Sequence, residues 1–385
     1  MKRLLRLVVF ALVGAVGCGT GPQPDWLGTP DRLAPGVDFY RNNDTALVAG
    51  SGPIAVFLVH VDPARARVAS VLSNGRVLDA ESVSDIARRH NAVVGINGGF
   101  FNRANGEPTG LLKVDGALVS DSSLARGVVI IDSPPGGPAR LDFDRLAAKM
   151  ALTYDTGAGA VTVAIDGVDT TRERGKLMMY TPDYHPHSDT APTGTEWVLD
   201  GDPLRVQMVH VGVGRTPIPG TGVVLSYGGT RLPTALLSLT VGVEVSLSTN
   251  WRSSFGVPDA TLERSTHIIN GAGLLRRGGT VVTDWKEEGL LDEDFTHARH
   301  PRTVIGRDRA GTIWLAAVDG RQPDYSIGMT FEDLQRLSDR LGLTDALNLD
   351  GGGSTTLVIR GQVVNRPSDP GGARPVADAI IVTPR

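Results

Sequence analysis

The sequence predicts a strand-rich chain of α+β character with few helices. Three observations carry that reading. The 385 residues include 48 Gly and 24 Pro, with aromatic residues at only 5%, a composition suited to tight turns between short strands. From about 141 to 265 short apolar runs recur between polar residues, Gly and Pro, as strands at modest spacing do. One stretch, Thr330 to Leu341, has a clear helical period, and Ser82 to His90 can form a shorter helix. An apolar content of 41% admits a real core, and the length suits two average domains or one large one. The formal charge of −4 gives no global pull toward nucleic acid or an anionic membrane.

The chain opens with a basic segment, Met1-Lys2-Arg3-Leu4-Leu5-Arg6, followed by an apolar stretch from Leu7 to Val16 interrupted by Gly14. That stretch is short for a membrane span and reads as a targeting segment, residues 1–18. It ends at Ala15-Val16-Gly17-Cys18, which resembles a bacterial lipoprotein signal with Cys18 as the lipidated residue. Ala15 departs from the usual Leu at its position. The expected location is across the inner membrane, lipid-anchored in the envelope, with periplasmic or extracellular secretion as the alternative. Cys18 is the one Cys of the sequence, which excludes an intramolecular disulfide. Residues 19–40 read as a tether and 41–385 as the folded part, with a β-rich elaboration over about 141–265.

Within the folded part, Ile54 to Val61 is a near-continuous apolar run, expected as a buried strand. Arg67 to Leu72 reads as its hairpin partner across Asp62-Pro63. Ser82 or Ser84 can cap the short helix, whose face carries Val83, Ile86 and Ala87. His60 and His90 read as structural or exposed. The strand at Ala92 to Ile96 delivers Asn97 to Gly98-Gly99, then Phe100-Phe101-Asn102. Glycine at a strand end often marks close approach of a ligand or of backbone. An amide beside aromatic rings suits a sugar; core phenylalanines at a strand-end turn are the competing reading. Asp115-Gly116 between apolar residues signals a hairpin. His185-Pro186-His187 and Asp189 are a weak metal candidate.

Arg302 precedes a strand at Val304-Ile305, a placement suited to bidentate phosphate contact, or else to a surface ion pair. Ile313 to Val318 is a strand ending at Asp319-Gly320-Arg321. Thr330 caps the main helix with Asp333 in the capping box, and Phe331, Leu334, Leu337 and Leu341 form its apolar face. The densest motif follows: Asn348-Leu349-Asp350-Gly351-Gly352-Gly353-Ser354-Thr355-Thr356. Three glycines permit backbone conformations that other residues resist, and successive N–H groups can form an anion site. Asp350, Asn348, Ser354 and Thr355 place an acid, an amide and hydroxyls beside it. The alternative is a tight turn between helix and strand.

These motifs, in this order, resemble the phosphodiester glycosidase family. The resemblance rests on Asn97-Gly98-Gly99-Phe100-Phe101, Pro301-Arg302-Thr303, Val318-Asp319-Gly320-Arg321, Gly328-Met329-Thr330, the Asn348–Thr356 stretch and Arg374-Pro375-Val376-Ala377-Asp378-Ala379. It runs from about His90 to Arg385. It implies a single large α+β or mixed α/β domain with a mixed β-sheet core. It implies hydrolysis of a sugar-1-phosphodiester at the glycosidic C–O bond, on an envelope or extracellular glycan. Metal-assisted cleavage of the P–O bond and a non-catalytic glycan-binding lipoprotein are the alternatives.

In the implied reaction the leaving phosphate needs charge stabilisation more than strong acid help. Asp350 is expected at the anomeric carbon as base or nucleophile, with Asp319 as second carboxylate and Glu107 ranked below both. Arg302 and the N–H groups of Gly351, Gly352 and Gly353 are expected on the phosphate, helped by Ser354 and Thr355. Asn97 would bind sugar hydroxyls or phosphate, with Gly98, Gly99, Phe100, Thr109, Thr303 and Asn348 lining the substrate site. No metal ligand is assigned. A divalent cation is compatible with the oxygens of Asp350, Asp319 and Asn348 and is not demanded by them. The expected partners are a glycan phosphodiester and, through the anchor, a membrane, with no nucleic acid.

Overall fold

The Val56–Val61 strand sets the layering. Its alternate residues point to opposite faces, and all six are buried. Phe57, Val59 and Val61 enter one core, and Val56 and Leu58 enter another. A strand apolar on both faces needs a layer above and a layer below. The computed structural model describes residues 24–50, 52–134 and 136–385. The expected targeting segment and Cys18 lie outside the described residues.

Val56–Val61 lies in an eight-stranded sheet. The order is Asp31–Ala34, Val37–Asn42, Val56–Val61, Ile313–Val318, Arg302–Asp308, Leu343–Asn348, Leu274–Arg277 and Thr280–Val281. One face is covered by the Phe331–Arg340 helix, which buries Phe331, Leu334 and Leu337 against Leu58, Val304 and Ala316. Thr330 and Asp333 form the expected capping box at its start. The other face packs on a five-stranded sheet ordered Gln362–Val363, Leu357–Ile359, Val94–Asn97, Asp378–Pro384 and Ala66–Leu72. Beyond that sheet lies the Val83–Arg89 helix, capped by Ser82 and packed through Val83, Ile86 and Ala87. The layers therefore run helix, sheet, sheet, helix.

A seven-stranded sheet extends the shared core through Leu112, Val129, Ile131, Phe143 and Ile269. Its long Arg140–Asp155 strand leads to a smaller five-stranded sheet built from residues 167–211 and 223–227. Met150, Leu152 and Tyr154 share a separate core with Met179, Trp197 and Leu225 of that sheet. The Asp115-Gly116 hairpin forms as expected, with φ of 47° and 87° at its two turn residues.

Three expectations are corrected. The tether drawn over 19–40 runs into folded structure: Asp31–Ala34 and Val37–Asn42 pair antiparallel at the sheet edge, and Val37, Phe39 and Tyr40 are buried. The apolar residues inside a Gly- and Pro-rich stretch outweigh its loop-like composition. Arg67 to Leu72 is not the hairpin partner of Val56–Val61. Ala66–Leu72 crosses to the other sheet and pairs with Asp378–Pro384, because each strand has a core face to bury in a different layer. The core sheets are antiparallel, not mixed. The parallel pair is Gly167–Val168 with Leu177–Tyr180, in the small sheet.

Candidate active site

Two glycine turns, about 250 residues apart in sequence, meet at the seam between the packed sheets. The Val94–Asn97 strand ends in Gly98-Gly99, and the Leu343–Asn348 strand ends in Leu349-Asp350-Gly351. Asn97 Nδ2 donates to the Asp350 carbonyl at 2.7 Å. The Asp350 N–H donates to the Gly98 carbonyl at 3.2 Å. Asn97 Oδ1 accepts from the Thr303 hydroxyl at 2.8 Å and the Thr356 N–H at 3.2 Å. Asn97 is 1% exposed. It is the clamp that joins the turns, so the expected contact of Asn97 with sugar or phosphate is corrected: its polar atoms are engaged within the protein. Thr303 and Thr355, both buried, share this internal network at 3.4 Å and carry no ligand-facing hydroxyl.

The Asp350 turn floors a cavity of about 290 Å³ lined by Asp350, Gly351, Gly352 and Gly353, with Arg103, Arg321 and Arg374 among its walls. Burial pushes the Asp350 carboxyl up to about 6, with partial offset from Ser354, the Gly351 N–H, Arg374 and Arg103. A carboxyl poised near neutrality inside a cationic cavity is suited to acid, base or nucleophilic work.

The glycine amides contribute less than expected. The Gly351 N–H donates to Asp350 Oδ1 at 2.9 Å, and the Gly352 N–H to the Pro301 carbonyl at 2.9 Å. That leaves the Gly353 amide for a ligand. Gly353 is required by close approach, since a Cβ there would overlap the Asp369 carboxylate and the Arg374 guanidinium. Arg374 holds Asp369 through Nε at 2.8 Å and Nη2 at 3.0 Å, and reaches the Ser354 hydroxyl through Nη1 at 3.3 Å. Ser354 thus supports Arg374 and Asp350 from below.

The Asp350 turn, Arg321 and Arg374 fall within residues 217–383, which the family model for phosphodiester glycosidase matches; the Gly98-Gly99 turn and Arg103 precede them. Over residues 217–383 the chain is similar to the phosphodiester glycosidase family. An N-acetylglucosamine-1-phosphodiester alpha-N-acetylglucosaminidase of Bos taurus is 28% identical over 154 residues, covering 37% of this chain and 29% of that protein. The chain therefore spans less than a third of the length of that curated relative. Among solved structures, a hypothetical protein from Synechocystis superposes with a TM-score of 0.74 at 25% identity, covering 93% of this chain and 64% of that one. A Burkholderia pseudomallei K96243 protein named as exported gives 0.73 at 25% identity, covering 88% and 76%.

Arg302 also lines the cavity, but most of its guanidinium is engaged within the protein. It is 2% exposed. Nε donates to the Met329 carbonyl at 2.9 Å, and Nη2 to those of Phe295 and Ala298 at 2.7 and 3.1 Å. Its guanidinium carbon lies 5.4 Å from the Phe295 ring centre and 4.8 Å from that of Phe331. Burial and Arg321 push its pKa down to about 9, so it remains a cation at neutral pH. Arg302 is chiefly a strut between the cavity and the main helix.

Asp319 is also corrected. Its carboxylate accepts from Asn365 Nδ2 at 2.8 Å, the Arg366 N–H at 2.7 Å and the Tyr325 hydroxyl at 3.2 Å, and it does not line the cavity. Glu107 accepts from the hydroxyls of Thr170 and Thr171 instead of facing the site. Asn348 Nδ2 donates to the Ala272 carbonyl at 2.8 Å. Phe100 and Thr109 stand outside the cavity, linked by the Thr109 N–H to the Phe100 carbonyl at 2.7 Å. Gly98 and Gly99 line the back of the Asp350 turn and serve packing. The oxygen set considered for a divalent cation is not assembled, and among the described residues no group of three His, Cys, Asp or Glu is placed to hold one. His187 is engaged with Arg215 and the Asp189 N–H.

The sequence reading missed three further arginines that line the cavity, Arg103, Arg321 and Arg374. Arg321 and Arg374 stood inside the motifs that carry the resemblance, and Arg103 follows Asn102. Arg321 has φ of 60°, a left-handed conformation that is costly for a long side chain. It is exposed and reaches His300 Nδ1 at 3.2 Å, and no carboxylate pairs with it among the described residues. Backbone strain that aims an unneutralised guanidinium at a glycine turn points to an anionic ligand. Arg321→Ala is expected to leave the melting temperature unchanged and to raise KM for an anionic substrate about 10- to 100-fold, the loss of one charge-assisted contact. Steady-state kinetics beside a thermal melt check it.

Proposed function

We propose that the protein hydrolyses a sugar-1-phosphodiester at the glycosidic C–O bond, releasing free sugar and a phosphomonoester. The observation that carries the reading is Asp350, raised toward neutrality, on the floor of a cavity walled by Arg103, Arg321 and Arg374. Ionised Asp350 serves as base or nucleophile at the anomeric carbon. Arg321 and Arg103 take the phosphate oxygens, with the Gly353 amide as a further donor. The departing phosphate is already a competent leaving group, so guanidinium stabilisation does most of what an acid does for an ordinary glycoside. The substrate is an envelope or extracellular glycan, in keeping with the basic, apolar start of the sequence and with the exported name of a structural neighbour. Lipidation at Cys18 belongs to the same proposal.

The test is a product assay in ¹⁸O-labelled water, using UDP-GlcNAc and a small set of α-linked sugar-1-phosphodiesters. Label in the released sugar is the expected result. Label in the phosphate would replace C–O by P–O cleavage. No release from folded protein across the set would favour glycan binding without turnover.

A further inference from the structure

Asp378 is a second carboxylate behind the site, and the reaction outlined above gives it no task. It opens the Asp378–Pro384 strand and is 1% exposed. The Gly99 N–H lies 3.2 Å from each of its carboxylate oxygens, and the Gly98 N–H donates to its carbonyl at 3.0 Å. On the other side of the same turn, the Gly98 carbonyl receives the Asp350 N–H at 3.2 Å. Two carboxylates therefore flank one Gly-Gly turn. The turn is glycine by necessity at its first position, since a Cβ on Gly98 would overlap the Asp378 carboxylate.

The surroundings of the two acids differ. Asp350 feels Arg374 and Arg103, accepts from the Gly351 N–H and opens to the cavity. Asp378 has no cation against it among the described residues, and the charge that bears on it is Asp350 itself. The neighbouring strand brings Leu72, the turn brings bare backbone, and Glu81, beside Val376, is held by Arg89. Two like charges across one turn oppose each other's ionisation, and the proton settles on the more buried, less compensated acid. Burial, with the Asp350 charge added, pushes Asp378 up to about 7.

We propose that Asp378 is a positioning residue that keeps a proton behind the Gly98-Gly99 turn, so that Asp350 is the ionised member of the pair. The inference rests on the proposed role of Asp350. Its physical content is separable, because a buried acid of raised pKa changes stability with pH. Such a group stabilises the fold fully below its unfolded pKa, near 4, and loses that contribution as pH rises through about 7.

The test compares wild type, Asp378→Asn and Asp350→Asn, each as purified full chain, by thermal melts from pH 4 to 9 and by kcat and KM over the same range. Wild type is expected to lose melting temperature between pH 4 and 8. Asp378→Asn, which mimics the protonated acid, should flatten that decline. It should also keep kcat within about 2-fold at pH 6.5 and keep the acid limb set by Asp350. Asp350→Asn removes both the opposing charge and Asp350's own titration, so a decline that persists in it, ending at lower pH than in wild type, reports Asp378 and decides the matter should Asp378→Asn fail to fold. An unchanged slope in Asp378→Asn, or a decline abolished in Asp350→Asn, overturns the proposal. If wild type shows no turnover, the glycosidase reading fails and the melting arm still decides where the proton sits.

Discussion

Asp350→Asn lowers kcat by about 10³-fold or more and leaves the fold intact, the expected loss when a positioned carboxylate is replaced by its amide. The side chain is isosteric, and the backbone bonds that place it, to Gly98 and Asn97, do not involve the carboxylate. Asp350 has a raised pKa, so ionising it at pH 7 costs stability. The Asn variant should therefore melt at the wild-type temperature or slightly above it at pH 7. The same shift fixes the acid limb of wild-type activity. An ionised carboxylate is required, so kcat rises as pH passes about 6. A limb near 4 would mean that Asp350 is solvated in the working enzyme. Full activity in the Asn variant would remove it from the chemistry.

Arg302→Met has the opposite signature. It is expected to destabilise the fold by roughly 3–5 kcal/mol, since each buried group left unpaired costs about 1–3 kcal/mol. The carbonyls of Met329, Phe295 and Ala298 lose their shared donor, and the rings of Phe295 and Phe331 lose the cation between them. Lysine should not rescue it, because an ammonium lacks the planar fork that reaches carbonyls on two segments. Chemical denaturation measures the loss. A phosphate clamp would instead give normal stability with a raised KM, the behaviour expected of Arg321. The pair of variants separates the strut from the ligand.

That distinction marks how far the sequence could be read. The motif at Pro301-Arg302-Thr303 was visible, but a guanidinium before a strand looks the same whether it meets phosphate or backbone carbonyls. Only the fold places Phe295 and Met329 around it. Asp319 is similar, since Asn365 and Arg366 reach it from another segment. Local features were legible because their causes are local: the Thr330–Asp333 capping box, the Asp115-Gly116 turn and the two-faced Val56–Val61 strand. The meeting of the Asn97 and Asp350 turns was foreshadowed by their shared strand-then-glycine pattern, although Asn97's task as a clamp was not. Sheet membership was hidden. Ala66–Leu72 follows Val56–Val61 in sequence and leaves its sheet, and nothing between them signals the crossing. Asp378 was quoted within a motif and given no role, because its environment is made by Gly99 and Asp350, remote in sequence.

The Asp378–Pro384 strand lies between Val94–Asn97 and Ala66–Leu72. Those two segments are near each other in sequence, yet a strand from about 300 residues later separates them. The site is held by the same arrangement, since Gly98 and Gly99 bond to Asp378 on one side and Asp350 on the other. Pairings this remote must bear a large loop-closure entropy before any contact rewards them, and they form late. During refolding, helical signal and the local hairpins should return first. Competence should return only with the slowest step, when that central strand inserts. Earlier intermediates would hold most of the secondary structure with the glycine turns unjoined.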